Sequence, residues 1–359
     1  MALNNNPSAY ARQRRALVTE ALTFLHGWGY EELEVPLLVP VEELRGTLDP
    51  LAEDEHFRFV GPRGRLYLLR GDLTPVVARQ IALRRPALGQ VHRVSYANRI
   101  ARLQRGLWAD QAEAFELGIE LIGPVGARAD LEVICLALEL AGRLRVPEVE
   151  LHVGDVRLAQ HWLHHVPSEQ RGCVRAAIAR RDVDALLEVG RALGWSTERR
   201  RAFSYLAHPL PEAPQLSALA EPLERTGQEI AAELRSLLST LEELGFGERV
   251  RLDLSVLDDR GYYTGVRFRL LSSPMGEILG AGGRYDELLQ RFGADVPAVG
   301  FSMRVDRLVS LLASTDPGGG DDCSGVAALT ELADALTRSR AGEAVRLAYP
   351  AGALDPEGR

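Results

Sequence analysis

Strand-like segments in this 359-residue chain follow one another instead of alternating with helices, and that order most restricts the folds open to it. HFRFV and RLYLL, joined by Gly61–Gly64, read as a hairpin. GQVHRVSYANRIAR and FELGIELIG read as two strands joined by the loop 103–114. RVRLDLSVL, YYTGVRFRLL and GEILGAG come in similar succession, and a further strand covers Ala298–Met303. Consecutive hairpins build antiparallel sheets, whereas parallel strands need a long crossover, usually a helix, between them. The expected class is therefore α+β, an antiparallel sheet flanked by helices, and not a doubly wound parallel sheet.

Apolar residues at helical spacing predict helices over 8–28, about 74–82, 129–144, 227–244 and 305–312, with one more beginning near Tyr285. Tyr30–Pro40 reads as an extended strand interrupted by prolines. Pro36 cannot donate to a ladder and belongs at an edge or an interface. Another strand starts after Pro147. Between 157 and 222 the alternation disappears and short helical stretches replace it, which reads as a helical insertion. The chain thus divides into a core in two parts (1–156 and 223–314), the insertion (157–222) and a remainder (315–359). After Ser314, STDPGGGDDCSG has the composition of a flexible linker. One helix (326–339) and one strand (345–349) are expected beyond it, too little for a core of their own.

Composition excludes several classes. No run of about 18 apolar residues occurs, so a membrane-spanning helix is not expected. The N-terminus lacks the order of a secretory signal, and three scattered cysteines form neither a disulfide framework nor a CxxC metal site. A reducing, cytoplasmic location is the expectation. The chain contains no lysine; all 42 basic residues are arginine. Lysine Schiff-base enzymes and P-loop nucleotidases are excluded with it. Any anion handled here is handled by guanidinium or backbone. A net charge of −8 argues against a broadly phosphate-coating surface.

Several constellations have the right residue types for binding. His161, His164 and His165 share a helical face but have no carboxylate at matching spacing, so no metal is expected there. GAGGRYDELL (280–289) closes a strand and opens what reads as a helix; its spacing fails GxGxxG at Tyr285. In DDRGYYTGVRF, Tyr262 and Tyr263 on a strand would point to opposite faces, one packing and one offering its hydroxyl to a pocket. In LLRGDLTPVVAR, Asp72 and Thr74 would share a face of extended chain, either to receive an ammonium group or to cap the helix that follows.

Taken in order, LRxDxTPxxAR, FxLGxELIG, YYTG, GGRYDELLxxFG, PAVGFSM and DRL resemble the catalytic core of class II histidyl-tRNA synthetases over roughly residues 8–314. The resemblance implies a histidine pocket on an antiparallel sheet. Asp72 and Thr74 match the acid and threonine that receive the amino group, although the acid is usually Glu. Glu120 matches the glutamate at the imidazole end, Tyr263 and Tyr285 match the pocket tyrosines, and Arg102 and Arg307 match the motif 2 and motif 3 arginines that hold ATP.

The departures from the family pattern concern the reaction. Asp258 stands where an arginine assists adenylate formation, a reversal of charge beside carboxylate and phosphate. Arg260 lies two residues on, displaced by about 6.6 Å in extended chain. Motif 2 reads Ala101–Gln104 without its aromatic and acid, its loop carries Asp110 and Ala112, and Glu116 replaces a pocket glutamine. That extra carboxylate either tightens the ammonium contact or repels the ligand's own carboxylate. Of 359 residues only 45 follow Ser314, too few for the family's anticodon-binding domain.

A persisting pocket with damaged ATP chemistry is similar to the synthetase paralogues that serve as regulatory subunits of ATP phosphoribosyltransferase. That resemblance implies a non-catalytic chain without a cofactor, required for the first step of histidine biosynthesis and taking part in histidine feedback. It implies a short-form catalytic subunit as partner, histidine as ligand, and a homodimer inside a hetero-oligomer, with tRNA not expected to bind. The rival readings are a truncated synthetase that activates histidine with ATP, and a stand-alone amino-acid sensor.

Overall fold

The computed structural model describes residues 7–44, 55–86, 90–103, 112–208, 213–257, 260–273 and 277–315. The chain divides into two units, 1–312 and 313–359, and the architecture below is that of the first. Along the chain run α1 (Pro7–Gly27), β1 (Glu31–Glu32), β2 (Leu38–Pro40), β3 (Arg58–Val60), β4 (Leu66–Leu69) and α2 (Thr74–Leu83). Next come β5 (His92–Ala101), β6 (Glu113–Ile122), α3 (Ala127–Arg143) and β7 (Val149–Asp155). A run of helices follows, α4 (Val156–His164), α5 (Arg171–Ala179), α6 (Val183–Ala192), α7 (Thr197–Ser204) and α8 (Ala213–Ala220). The remainder is α9 (Glu224–Glu243), β8 (Val250–Leu252), β9 (Val266–Ser272), β10 (Glu277–Arg284), β11 (Ala298–Arg304) and α10 (Val305–Thr315).

Eight strands form one sheet in the order β1-β5-β6-β11-β10-β9-β7-β8, and β2-β4-β3 form a small antiparallel sheet. The expected antiparallel pairing holds from β5 through β7. At both edges it gives way to parallel pairs, β1 with β5 and β7 with β8, so the sheet is mixed. Those edge strands are not hairpin partners of their neighbours. Each arrives after a helix, and the hairpin logic does not reach them.

Period-2 alternation divides the sheet into two faces. Leu117, Ile119 and Leu121 of β6, with Val299, Phe301 and Met303 of β11, join a core with α1, α3, α9 and the helices α4–α8. Glu116, Gly118 and Glu120 point the other way, toward the side carrying α2 and the small sheet. The helices follow ordinary rules. Ile230, Ala231, Leu234, Leu237 and Leu241 form the buried stripe of α9, and Asp155, Asp182 and Ser196 cap α4, α6 and α7 with their side chains.

Three expected elements form differently. The strand over Tyr30–Pro40 is two short pieces in two sheets, divided around Pro36. RVRLDLSVL pairs only over β8, because Asp253 turns the chain by accepting the Ser255 N–H at 3.0 Å and its hydroxyl at 2.6 Å. No α-helix begins at Tyr285. Its N–H donates to Ala298 O at 2.8 Å and that of Asp286 to Thr264 Oγ1 at 2.9 Å, which leaves a turn and a short 3-10 segment, Leu289–Phe292. Gly293, at φ 87°, ends that segment in the left-handed region. The linker, helix and strand expected after residue 315 lie outside the described residues, as does Asp258.

Candidate functional site

A cavity of about 300 Å³ opens on the polar face of the sheet. Its floor is a cross-strand pattern. Register places Glu116 opposite Arg304, Gly118 opposite Ser302 and Glu120 opposite Gly300. On the other side of β11, Ala281 and Gly283 of β10 pair with Arg269 and Arg267 of β9. Carboxylates therefore line β6, small residues the middle, and guanidinium groups β9, across roughly 14 Å of sheet. The glycines make this geometry possible: a Cβ on Gly300 would lie 1.7 Å from Glu120 Oε2.

Glu120 is 1% exposed, and three hydroxyls converge on its carboxylate. Thr74 Oγ1 donates to Oε1 at 2.8 Å, Tyr96 donates to Oε1 at 3.0 Å, and Tyr285 donates to Oε2. Burial pushes its pKa up to about 8 against these stabilising donors. Glu116 pairs with Arg304 at 2.9 Å, and burial pushes it up to about 7 although the guanidinium opposes the shift.

Asp72 also lines the cavity, joined to Glu120 through Thr74. Its Oδ1 accepts the Thr74 N–H at 3.1 Å, and its Oδ2 accepts Tyr262 OH at 3.3 Å and Arg260 Nη1 at 3.2 Å. Asp72 thus bonds the first residue of α2, whose N-cap position is Leu73, as well as lining the cavity. Tyr262 and Tyr263 precede β9 and do not lie on a strand. Both are buried and both line the cavity, with ring centroids 4.8 Å apart.

Of the residues singled out from the sequence, Asp72, Thr74, Glu116, Tyr263, Tyr285 and Arg307 line this cavity, and Glu120 lies directly behind Thr74 and Tyr285. Arg102 does not join them; it is engaged with Glu55, Nε to Oε2 at 2.7 Å. Tyr96, Arg267, Arg269 and Arg304 were not anticipated. Counting twos along β11 from Gly300 would have put Arg304 on the polar face, but only the register shows that it meets Glu116. Among the described residues no group of three or more His, Cys, Asp or Glu is placed to hold a metal, and no helix is long and apolar enough to cross a membrane.

The sheet order and the face that carries the cavity define a class II aminoacyl-tRNA synthetase-like protein, and a family model described as histidyl-tRNA synthetase matches residues 5–308. A relative from Geobacillus thermodenitrificans, named ATP phosphoribosyltransferase regulatory subunit, is 31% identical over 349 residues, 95% of this chain and 87% of its own. The crystal structure of an ATP phosphoribosyltransferase regulatory subunit/histidyl-tRNA synthetase from Bacillus halodurans is similar at TM-score 0.81 and 27% identity, covering 99% of this chain and 95% of that one. An ATP phosphoribosyl transferase complex from Thermotoga maritima shares the fold at TM-score 0.62 and 19% identity, over 82% of this chain and 96% of that one. The chain belongs to the ATP phosphoribosyltransferase regulatory subunit family, within the wider histidyl-tRNA synthetase-like group.

Proposed function

We propose that this chain acts as a regulatory subunit of ATP phosphoribosyltransferase by binding free histidine in the cavity on the polar face of its sheet. Catalysis belongs to a separate, short-form catalytic subunit. The observation that carries the reading is the convergence of Asp72, Thr74, Glu116, Tyr263 and Tyr285 on one cavity, with the Glu120 carboxylate behind them. The imidazole is placed toward Glu120 and Tyr285, and the α-ammonium toward Asp72 and Thr74. Arg307 lines the same cavity and remains a candidate nucleotide contact, whereas Arg102 is engaged with Glu55.

Feedback follows if histidine binds one assembly state more tightly than another, and a coupling of about 1–3 kcal/mol is ample for useful inhibition. Leu37 and Leu38, beside Pro36, are large apolar residues exposed to solvent, which supports homodimer formation through this segment within the hetero-oligomer. A cytoplasmic location is part of this reading, and among the described residues Cys135 and Cys173 are not paired with one another.

The test combines the purified chain with a short-form catalytic subunit. Phosphoribosyl transfer is expected to require the chain and to fall on addition of histidine, and Asp72→Asn is expected to weaken that response. Histidine-dependent exchange of pyrophosphate into ATP by the chain alone would replace this reading with that of a synthetase.

A further inference from the structure

Arg267 and Arg269 line the cavity from β9 and match neither the histidine-pocket residues nor the nucleotide-holding arginines of the motifs. Two residues apart on one face of the strand, they stand about 6.6 Å apart at the backbone. Register sets them against Gly283 and Ala281, and these in turn against Gly300 and Ser302, so the floor beside them is made of small residues. Arg267 is 3% exposed and lies over the Tyr263 ring at 4.8 Å. Its Nε and Nη1 are buried and make no hydrogen bond among the described residues. A cation on an aromatic face is favourable, but the ring takes up none of the N–H groups in the guanidinium plane. Buried donors in that condition are uncommon, and an acceptor entering the cavity can satisfy them once the side chain turns off the ring.

The charge of the cavity points to an anion. Arg260, Arg267, Arg269, Arg304 and Arg307 line it, against the described carboxylates of Asp72 and Glu116, with Glu120 behind Thr74. Asp72 bonds Arg260 and Glu116 bonds Arg304, so the balance at the β9 wall is positive. We propose that Arg267 and Arg269 form a receptor for a phosphate dianion, free or carried as the monoester of a metabolite, separate from the place of histidine.

Phosphate suits this wall better than a carboxylate does. A carboxylate presents two oxygens, and one guanidinium fork fills them. A phosphate group presents at least three, enough for forks from two strand positions at once. Gly283 also shapes the wall. It lets the Tyr263 ring lie close to the sheet, where a Cβ would come within 3.0 Å of Cδ1, and the ring holds Arg267 beside the floor. The receptor needs no histidine in the cavity and goes beyond that reading.

Calorimetry on the full chain in chloride buffer, with inorganic phosphate, methyl phosphate and acetate as probes, tests this. At least one phosphate is expected to bind saturably and about tenfold or more tighter than acetate, and the tighter of the two tells a free ion from a monoester. Arg269→Gln and Arg267→Met are each expected to weaken it by about tenfold or more. No saturable phosphate binding by the folded wild-type chain overturns the receptor, as does acetate bound equally tightly, and neither result needs a variant to fold. Phosphate affinity kept in both folded variants also overturns it. Histidine affinity is expected to stay within about twofold in Arg269→Gln. A fall equal to that for phosphate would give these guanidinium groups to the histidine carboxylate and overturn the separate receptor. Phosphate bound by a chain that does not bind histidine would remove the histidine reading and leave the receptor standing.

Discussion

Glu120 and Leu121 are neighbours on β6 with opposite tasks. Leu121 points into the apolar core with Val299 and Phe301, while Glu120 points to the polar face, where three hydroxyls meet its carboxylate. One strand thus contributes to stability on one side and to recognition on the other, and the two should separate under mutation. Leu121→Ala removes a fully buried side chain and is expected to cost about 2–5 kcal/mol in denaturant unfolding, with histidine affinity per folded molecule unchanged. An equal loss of affinity would mean that the two faces are not independent.

Glu120→Ala probes the opposite face. It removes the acceptor of Thr74, Tyr96 and Tyr285 and is expected to weaken histidine binding by at least about 1 kcal/mol by calorimetry. Glu120→Gln keeps an acceptor and a similar volume, so its loss of affinity should exceed its loss of stability. Unchanged affinity in both variants would remove Glu120 from the site.

The division between faces was largely legible in the sequence, because alternation in FELGIELIG assigns each residue a side. Asp72, Thr74 and the tyrosines were legible through motif order. Pairings that depend on register were not. Nothing local in PAVGFSMR places Arg304 against Glu116, and nothing in DDRGYY places Arg260 on Asp72. The turn after Tyr285 was missed because its N–H groups bond Ala298 and Thr264, partners distant in the chain. Glu116 was left between attraction and repulsion of a ligand; in the structure its carboxyl group is bonded to Arg304.

Acidity sharpens the contrast between the faces. The ordinary glutamate value is 4.5, and burial raises Glu116 to about 7 and Glu120 to about 8. Between those values the native state holds protons that the unfolded chain has released. Stability is therefore fully present at acidic pH and falls as pH rises through about 7 and 8, by up to about 1.4 kcal/mol per pH unit for each group. Thermal unfolding from pH 5 to 8 should show this decline, and Glu120→Gln should flatten it. Leu121→Ala should lower the whole curve without changing its slope. His56, His161 and His165, whose values burial lowers, act in the opposite direction over this range. The readout is therefore the difference between wild type and Glu120→Gln, and a difference that does not vary with pH would show that Glu120 is ionised in the native state.

The smallest effect is expected where the motif match and the geometry part company. Arg102 and Arg307 both match nucleotide-holding arginines, yet only Arg307 lines the cavity, while Arg102 is engaged with Glu55. Arg102→Ala should cost about 1 kcal/mol of stability, through the pair with Glu55, and leave histidine affinity unaltered. Arg307→Ala removes a positive charge from the cavity wall, and any anion that enters should bind it more weakly. Calorimetry with histidine and with ATP on both variants separates the two arginines. Equal losses would mean that the Glu55 pair opens and Arg102 turns to the ligand. A loss confined to Arg307 would show that position in the fold, and not the motif match, decides which arginine still serves a ligand.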